Sequence, residues 1–124
     1  MRAFDHSKLA DLRERHARLH DSYRGAASRG RELKREAAIL VASCVAETKE
    51  EAAAAVLQLP ADKLRDVAEG ELEAHGIHSR TVRRILTAHH AAAAQQQVAE
   101  ALASEVHRSN ALMARMNEYA CRFE

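Results

Sequence analysis

The sequence predicts an all-α protein. The expected form is an elongated antiparallel coiled-coil hairpin of two long helices, about residues 5–47 and 79–122, with a small helical cap over residues 48–77. Three observations predict it. Apolar or small residues recur at steps of three and four through Leu9, Leu12, His16, Leu19, Tyr23, Ala26, Gly30, Leu33, Ala37, Leu40 and Cys44, a heptad seam held for about five repeats. A second seam runs through Thr81, Ile85, Ala88, Ala92, Gln95, Ala99, Leu102, Val106, Ser109, Met113, Met116, Ala120 and Phe123. Four Gly, one Pro, two Phe, two Tyr and no Trp suit long helices meeting in narrow seams rather than a wide core. β-branched residues never alternate over the length of a strand, so no sheet is expected.

The elements follow in order. Asp5 or Ser7 is expected to cap the first helix, with Asp11 and Glu14 adding negative charge to its early turns. Residues 25–30 hold two glycines, each costing about 1 kcal/mol relative to Ala inside a helix. The seam keeps its frame across them, which predicts one continuous helix, with Ala26 and Gly30 kept small for the close approach of a neighbouring backbone. Thr48 and Glu51 have the capping-box spacing, predicting a short helix that carries Ala52 to Leu57 and stops before Pro60. Asp62 is placed to cap a further helix holding Leu64, Val67, Ala68 and Leu72, ended by Gly76 in the left-handed region. Ser79 is expected to cap the last helix. The whole chain, 1–124, then reads as a single helical domain with residues 48–78 as its apex.

Antiparallel docking places positions whose numbers sum to about 125 opposite each other. Ala37 then faces Ala88, Leu33 faces Ala92, Gly30 faces Gln95 and Ala26 faces Ala99. Nearer the termini, Tyr23 meets Leu102, Leu19 meets Val106, Leu12 meets Met113 and Leu9 meets Met116. His16 falls opposite Ser109, a polar pair of the kind that sets register. A second apolar stripe, Ile39, Val41 and Val45 with Leu86 and Val98, remains for the cap to cover in part, while Leu112 and Tyr119 widen the main seam. Flanks left wet in a two-helix hairpin predict a homodimer that forms a four-helix bundle.

Net charge is +1, distributed in blocks. Residues 1–36 carry ten Lys/Arg against six Asp/Glu, residues 37–76 three against eight, and residues 77–124 six against four. Long solvated helices have this layout, and it also allows a polyanionic partner for the arms. The charged N-terminus lacks an apolar core segment, and no stretch reaches the roughly 18 apolar residues a membrane span requires. With only Cys44 and Cys121, a reduced, cytoplasmic setting is expected, and Ala- and Arg-rich usage suggests a bacterial or phage source.

Motifs for chemistry are sparse. No glycine-rich phosphate loop or nucleophile elbow occurs, and few aromatics remain to wall a pocket, so the chain is not expected to be an enzyme. His16 and His20 lie four apart, and His75, His78, His89 and His90 gather near the apex, but spacing supplies no third and fourth zinc ligand. They read as seam or surface histidines, and neither metal nor cofactor is expected.

The segment from Asp66 to Leu86 places a helix before His75, Gly76, Ile77 and His78, then Ser79, Arg80, Val82, Arg83, Arg84 and Ile85. It resembles the helix-turn-helix of bacterial DNA-binding regulators in the turn Gly76, the apolar Ile77, and the apolar Val82 and Ile85 of its second helix. The resemblance covers about twenty residues and implies that Ser79, Arg80, Arg83 and Arg84 contact DNA. The chain departs from the pattern at Glu71 and His75, where the family has apolar residues, and Asp66, Glu69, Glu71 and Glu73 repel phosphate.

Two functions are therefore expected, in this order. The first is a non-enzymatic helical protein–protein interaction module, such as an adaptor, chaperone, inhibitor or small accessory protein, with itself and an unidentified protein as partners and no membrane. Its pairing residues would be Leu9, Leu12, His16, Leu19, Tyr23, Leu33, Leu40, Ile85, Leu102, Val106, Ser109, Met113 and Met116. The second is a DNA-binding transcriptional regulator that reads DNA with residues 79–86 and dimerises through the long arms.

Overall fold

The computed structural model describes residues 6–122. Over those residues the chain forms five helices and no strand: α1 (His6–Ala46), α2 (Glu51–Leu57), α3 (Ala61–Arg65), α4 (Glu69–Ala74) and α5 (Ser79–Cys121). Helix α1 packs against α5 as a helical hairpin. Every described seam residue of both arms is buried or half-buried, from Leu9 to Cys44 and from Thr81 to Ala120. Asp5 and Phe123 lie outside the described residues.

The chain divides into two compact units. One comprises the chain up to Ser28 with the chain from Gln96 onward. Its core is Leu9, Met113 and Ala120, against which Leu12 and Met116 pack. His16 Nδ1 and Ser109 Oγ share a hydrogen bond there, in the register expected from the seam.

The second unit is Arg29–Gln95. Its core gathers Ala53 and Leu57 of α2, Leu64 of α3, Leu72 of α4, Ile77, and Val82 and Ile85 of α5. Leu40, Val41, Cys44 and Val45 of α1 pack against this cluster, as does Leu86. The short helices thus cover much of the second apolar stripe. Helices of five to seven residues are unstable alone, and their apolar contacts with the arms hold them in place.

Several local expectations need correction. Residues 61–74 form two helices rather than one, because Asp66 closes α3 and Ala68 adopts extended backbone before α4. Thr48 does not cap α2; its hydroxyl donates to the Cys44 carbonyl at 2.8 Å, satisfying the end of α1 instead, and Glu50 stands at the α2 cap without a side-chain bond. Pro60, not Asp62, precedes α3, which leaves Asp62 in the first turn. At α5 the capping place falls to His78. Its Nδ1 accepts from the Arg80 N–H at 3.3 Å, and its carbonyl accepts from the Thr81 N–H at 3.0 Å.

The two glycine expectations divide. Helix α1 runs unbroken through residues 25–30, as the preserved frame predicts. However, a Cβ at Gly30 would meet Gln95 Cγ at 3.8 Å, ordinary contact, so no neighbouring backbone demands a glycine. Gly76 is left-handed, with φ of +69°. Its N–H bonds the Glu73 carbonyl at 2.9 Å and the Ile77 N–H bonds the Leu72 carbonyl at 2.8 Å, a Schellman closure of α4.

Candidate interaction face

With seam residues taken as heptad positions a and d, each arm has two flanks, e and g. In an antiparallel pair, e meets e and g meets g. Exposed polar pairs cross the e flank of the first unit. Arg13 Nη2 donates to Asn117 Oδ1 at 3.0 Å, and His20 Nε2 donates to Asn110 Oδ1 at 3.4 Å. The His20 ring also meets His16 edge-on, with centroids 4.6 Å apart.

The g flank of α5 differs. Val98, Glu105, Leu112 and Tyr119 occupy successive g positions, seven residues apart. Three of them are large and apolar, yet Val98 is 49% exposed, Leu112 41% and Tyr119 50%. Leu112 and Tyr119 therefore do not widen the buried seam as expected. They stand beside it. The sequence assigns Val98 to one stripe and Leu112 and Tyr119 to another; their seven-residue spacing joins all three in one row.

In the second unit, Ile39 is also exposed, at a c position of α1. An apolar depression between the arm and the cap is lined by Val41, Val45, Leu57, Leu59, Pro60 and His89. Both this depression and the one at the start of α5 are open to solvent.

The residues implied by the helix-turn-helix resemblance also lie in the second unit. Arg80, Arg83 and Arg84 are exposed at the start of α5, and Ser79 is half-buried. The three arginines line an open concavity with Leu33, Glu36 and Leu40 of α1. Helix α4 before them has six residues, of which Glu69, Glu71 and Glu73 are acidic. The start of α5 thus presents its cations beside Glu36 of α1, a neighbour that sequence alone did not indicate, while Glu69 and Glu73 of α4 lie near Ser79.

Elsewhere the surface is ordinary. Arg29 donates to Glu32 at 2.9 Å; this bond raises the Arg29 pKa, partly opposed by desolvation and aided by the charges of Glu32 and Glu36. Among the described residues, no group of three or more His, Cys, Asp or Glu is arranged to hold a metal ion. None of the described helices is long and apolar enough to cross a membrane. Comparison with protein-family models, curated proteins and solved structures returns no match.

Proposed function

We propose that this chain is a non-enzymatic helical interaction module that engages protein partners through exposed helix faces. The observation that carries this reading is the g row of α5, where the large side chains of Val98, Leu112 and Tyr119 remain half exposed. Apolar side chains sharing one heptad position, as these three do with Glu105 between the first two, are what helix-on-helix recognition uses. Homodimerisation through other faces of the arms belongs to the same reading, since pairing two hairpins into a bundle buries flanks that one hairpin leaves wet.

Site-specific photo-crosslinking in the cells that make the protein tests it. A photoreactive residue at position 112 should yield discrete protein adducts, while one at Ser104, on the outer side of α5, should not. Equal yields at the two positions, or none at either, would remove this reading.

The second reading is a DNA-binding regulator. It is supported by the left-handed Gly76 turn followed by the exposed Arg80, Arg83 and Arg84, the arrangement that the helix-turn-helix resemblance implies. A salt series of DNA binding tests it, comparing the wild type with an Arg83→Ala/Arg84→Ala double variant. Preferential binding that falls with log[salt] and flattens in the variant would place this reading first. Feeble binding, equal in both proteins at about 50 mM salt, would remove it.

A further inference from the structure

We infer that the g flank of the first unit docks an acidic amphipathic α-helix. The inference rests on the interaction-module reading and names its partner chemistry. Val98, Leu112 and Tyr119 share one heptad position on α5, so they form a row along the helix rather than a scattered set. A partner helix laid beside that row meets Val98, then Leu112 and Tyr119 one heptad apart, and buries one stripe of its own against them. A row interrupted only by Glu105 suits a helix better than an irregular loop.

Charge selects the partner. On the same side of α5, the c positions that border the row include the exposed Arg108 and Arg115. On α1 the corresponding g and c positions include Arg15 and Arg18, also exposed. Arg18 has an exposed pairing with Glu14 at 3.9 Å, which water screens. Acidic groups on this side are Asp11, Glu105 and, through its pairing with Arg18, Glu14. A second copy docking by the same flank would bring this mainly basic border against itself, and like charges across an interface disfavour that partner. A helix with Glu or Asp on either side of an apolar stripe meets complementary charge along its length.

The test uses the full chain and two synthetic helices of identical leucine stripe, one flanked by Glu and the other by Lys, read by fluorescence anisotropy. The acidic helix should bind about tenfold or more tighter than the basic one at low salt, with the gap narrowing as salt rises. A Leu112→Ser/Tyr119→Ser double variant should lose about tenfold in affinity for the acidic helix. Both positions are exposed, so its circular-dichroism melting curve should match the wild type and exclude misfolding as the cause. Equal binding of the two helices, or binding indifferent to the double variant, overturns the inference. So does binding of a short DNA duplex that Arg108→Ala/Arg115→Ala abolishes when neither helix binds. If neither helix binds and sedimentation shows a dimer dispersed by the double variant, the occupant is a second copy. The acidic-helix inference then falls while the interaction module stands. Failure of both helices together with no adduct from position 112 removes both.

Discussion

His16 of α1 and Ser109 of α5 meet across the seam, with Nδ1 and Oγ 2.5 Å apart. They are the polar residues of a stretch otherwise built from Leu9, Leu12, Met113 and Met116. A slip of one heptad would set His16 against Leu102 or Met116, and Ser109 against Leu9 or Tyr23. Each polar group would then lose its partner in a half-buried site, where an unmade hydrogen bond costs more than a made one contributes. Register is thus enforced by what the wrong alignments leave unsatisfied.

A double-mutant cycle measures that link. His16→Ala and Ser109→Ala should show a coupling of about 1 kcal/mol in urea unfolding. A coupling near zero would mean that apolar packing alone sets the alignment.

Two glycines should respond in opposite directions. Gly25 lies inside α1 with open space where a Cβ would be, so Gly25→Ala should stabilise by about 0.5–1 kcal/mol. Gly76→Ala forces a side chain into the left-handed region and should destabilise by about 1–2 kcal/mol. Thermal melts of the two variants read both signs.

Ile85 is fully buried in the core of the second unit, and its truncation to Ala should cost about 2–5 kcal/mol through lost burial and the cavity left behind. Leu112→Ala removes a side chain of similar size from an exposed site and should change stability by less than about 0.5 kcal/mol. Chemical denaturation of both variants checks the contrast. A large loss at Leu112 would mean that its face is already covered in solution, as self-association would cause.

The cysteines report on their own units. Cys121 is exposed near the end of α5 and should react with a thiol reagent within the mixing time at mild pH. Cys44 is half-buried against the apex core, and its labelling should be slower and should accelerate in Ile85→Ala. Equal rates in the wild type would show that the apex core opens freely.

The sequence by itself determined the two arms and their alignment. Periodicity is a local property, and a 3.5-residue repeat held over several turns admits few structures other than a long paired helix. The same holds for Gly76, whose position just past the apolar run marked the end of α4. The same periodicity sets small seam residues of one arm against small ones of the other and His16 against Ser109, the pair that the hairpin joins by a hydrogen bond.

Only the tertiary structure decided the rest. The cap divides into α2, α3 and α4 because Leu57, Leu64 and Leu72 all turn into one cluster, a cooperative choice that short-range signals such as Thr48 or Asp62 do not encode. His78 supplanted Ser79 as a cap for a similar reason: several nearby side chains qualified, and the local backbone path selected one. Sidedness was the last property to appear. Positions e and g are equivalent in one dimension, and they differ only once Arg13 finds Asn117 and His20 finds Asn110 across the hairpin. Val98, Leu112 and Tyr119 stay half exposed on the other flank, a degree of burial that no seven-residue repeat in the sequence encodes.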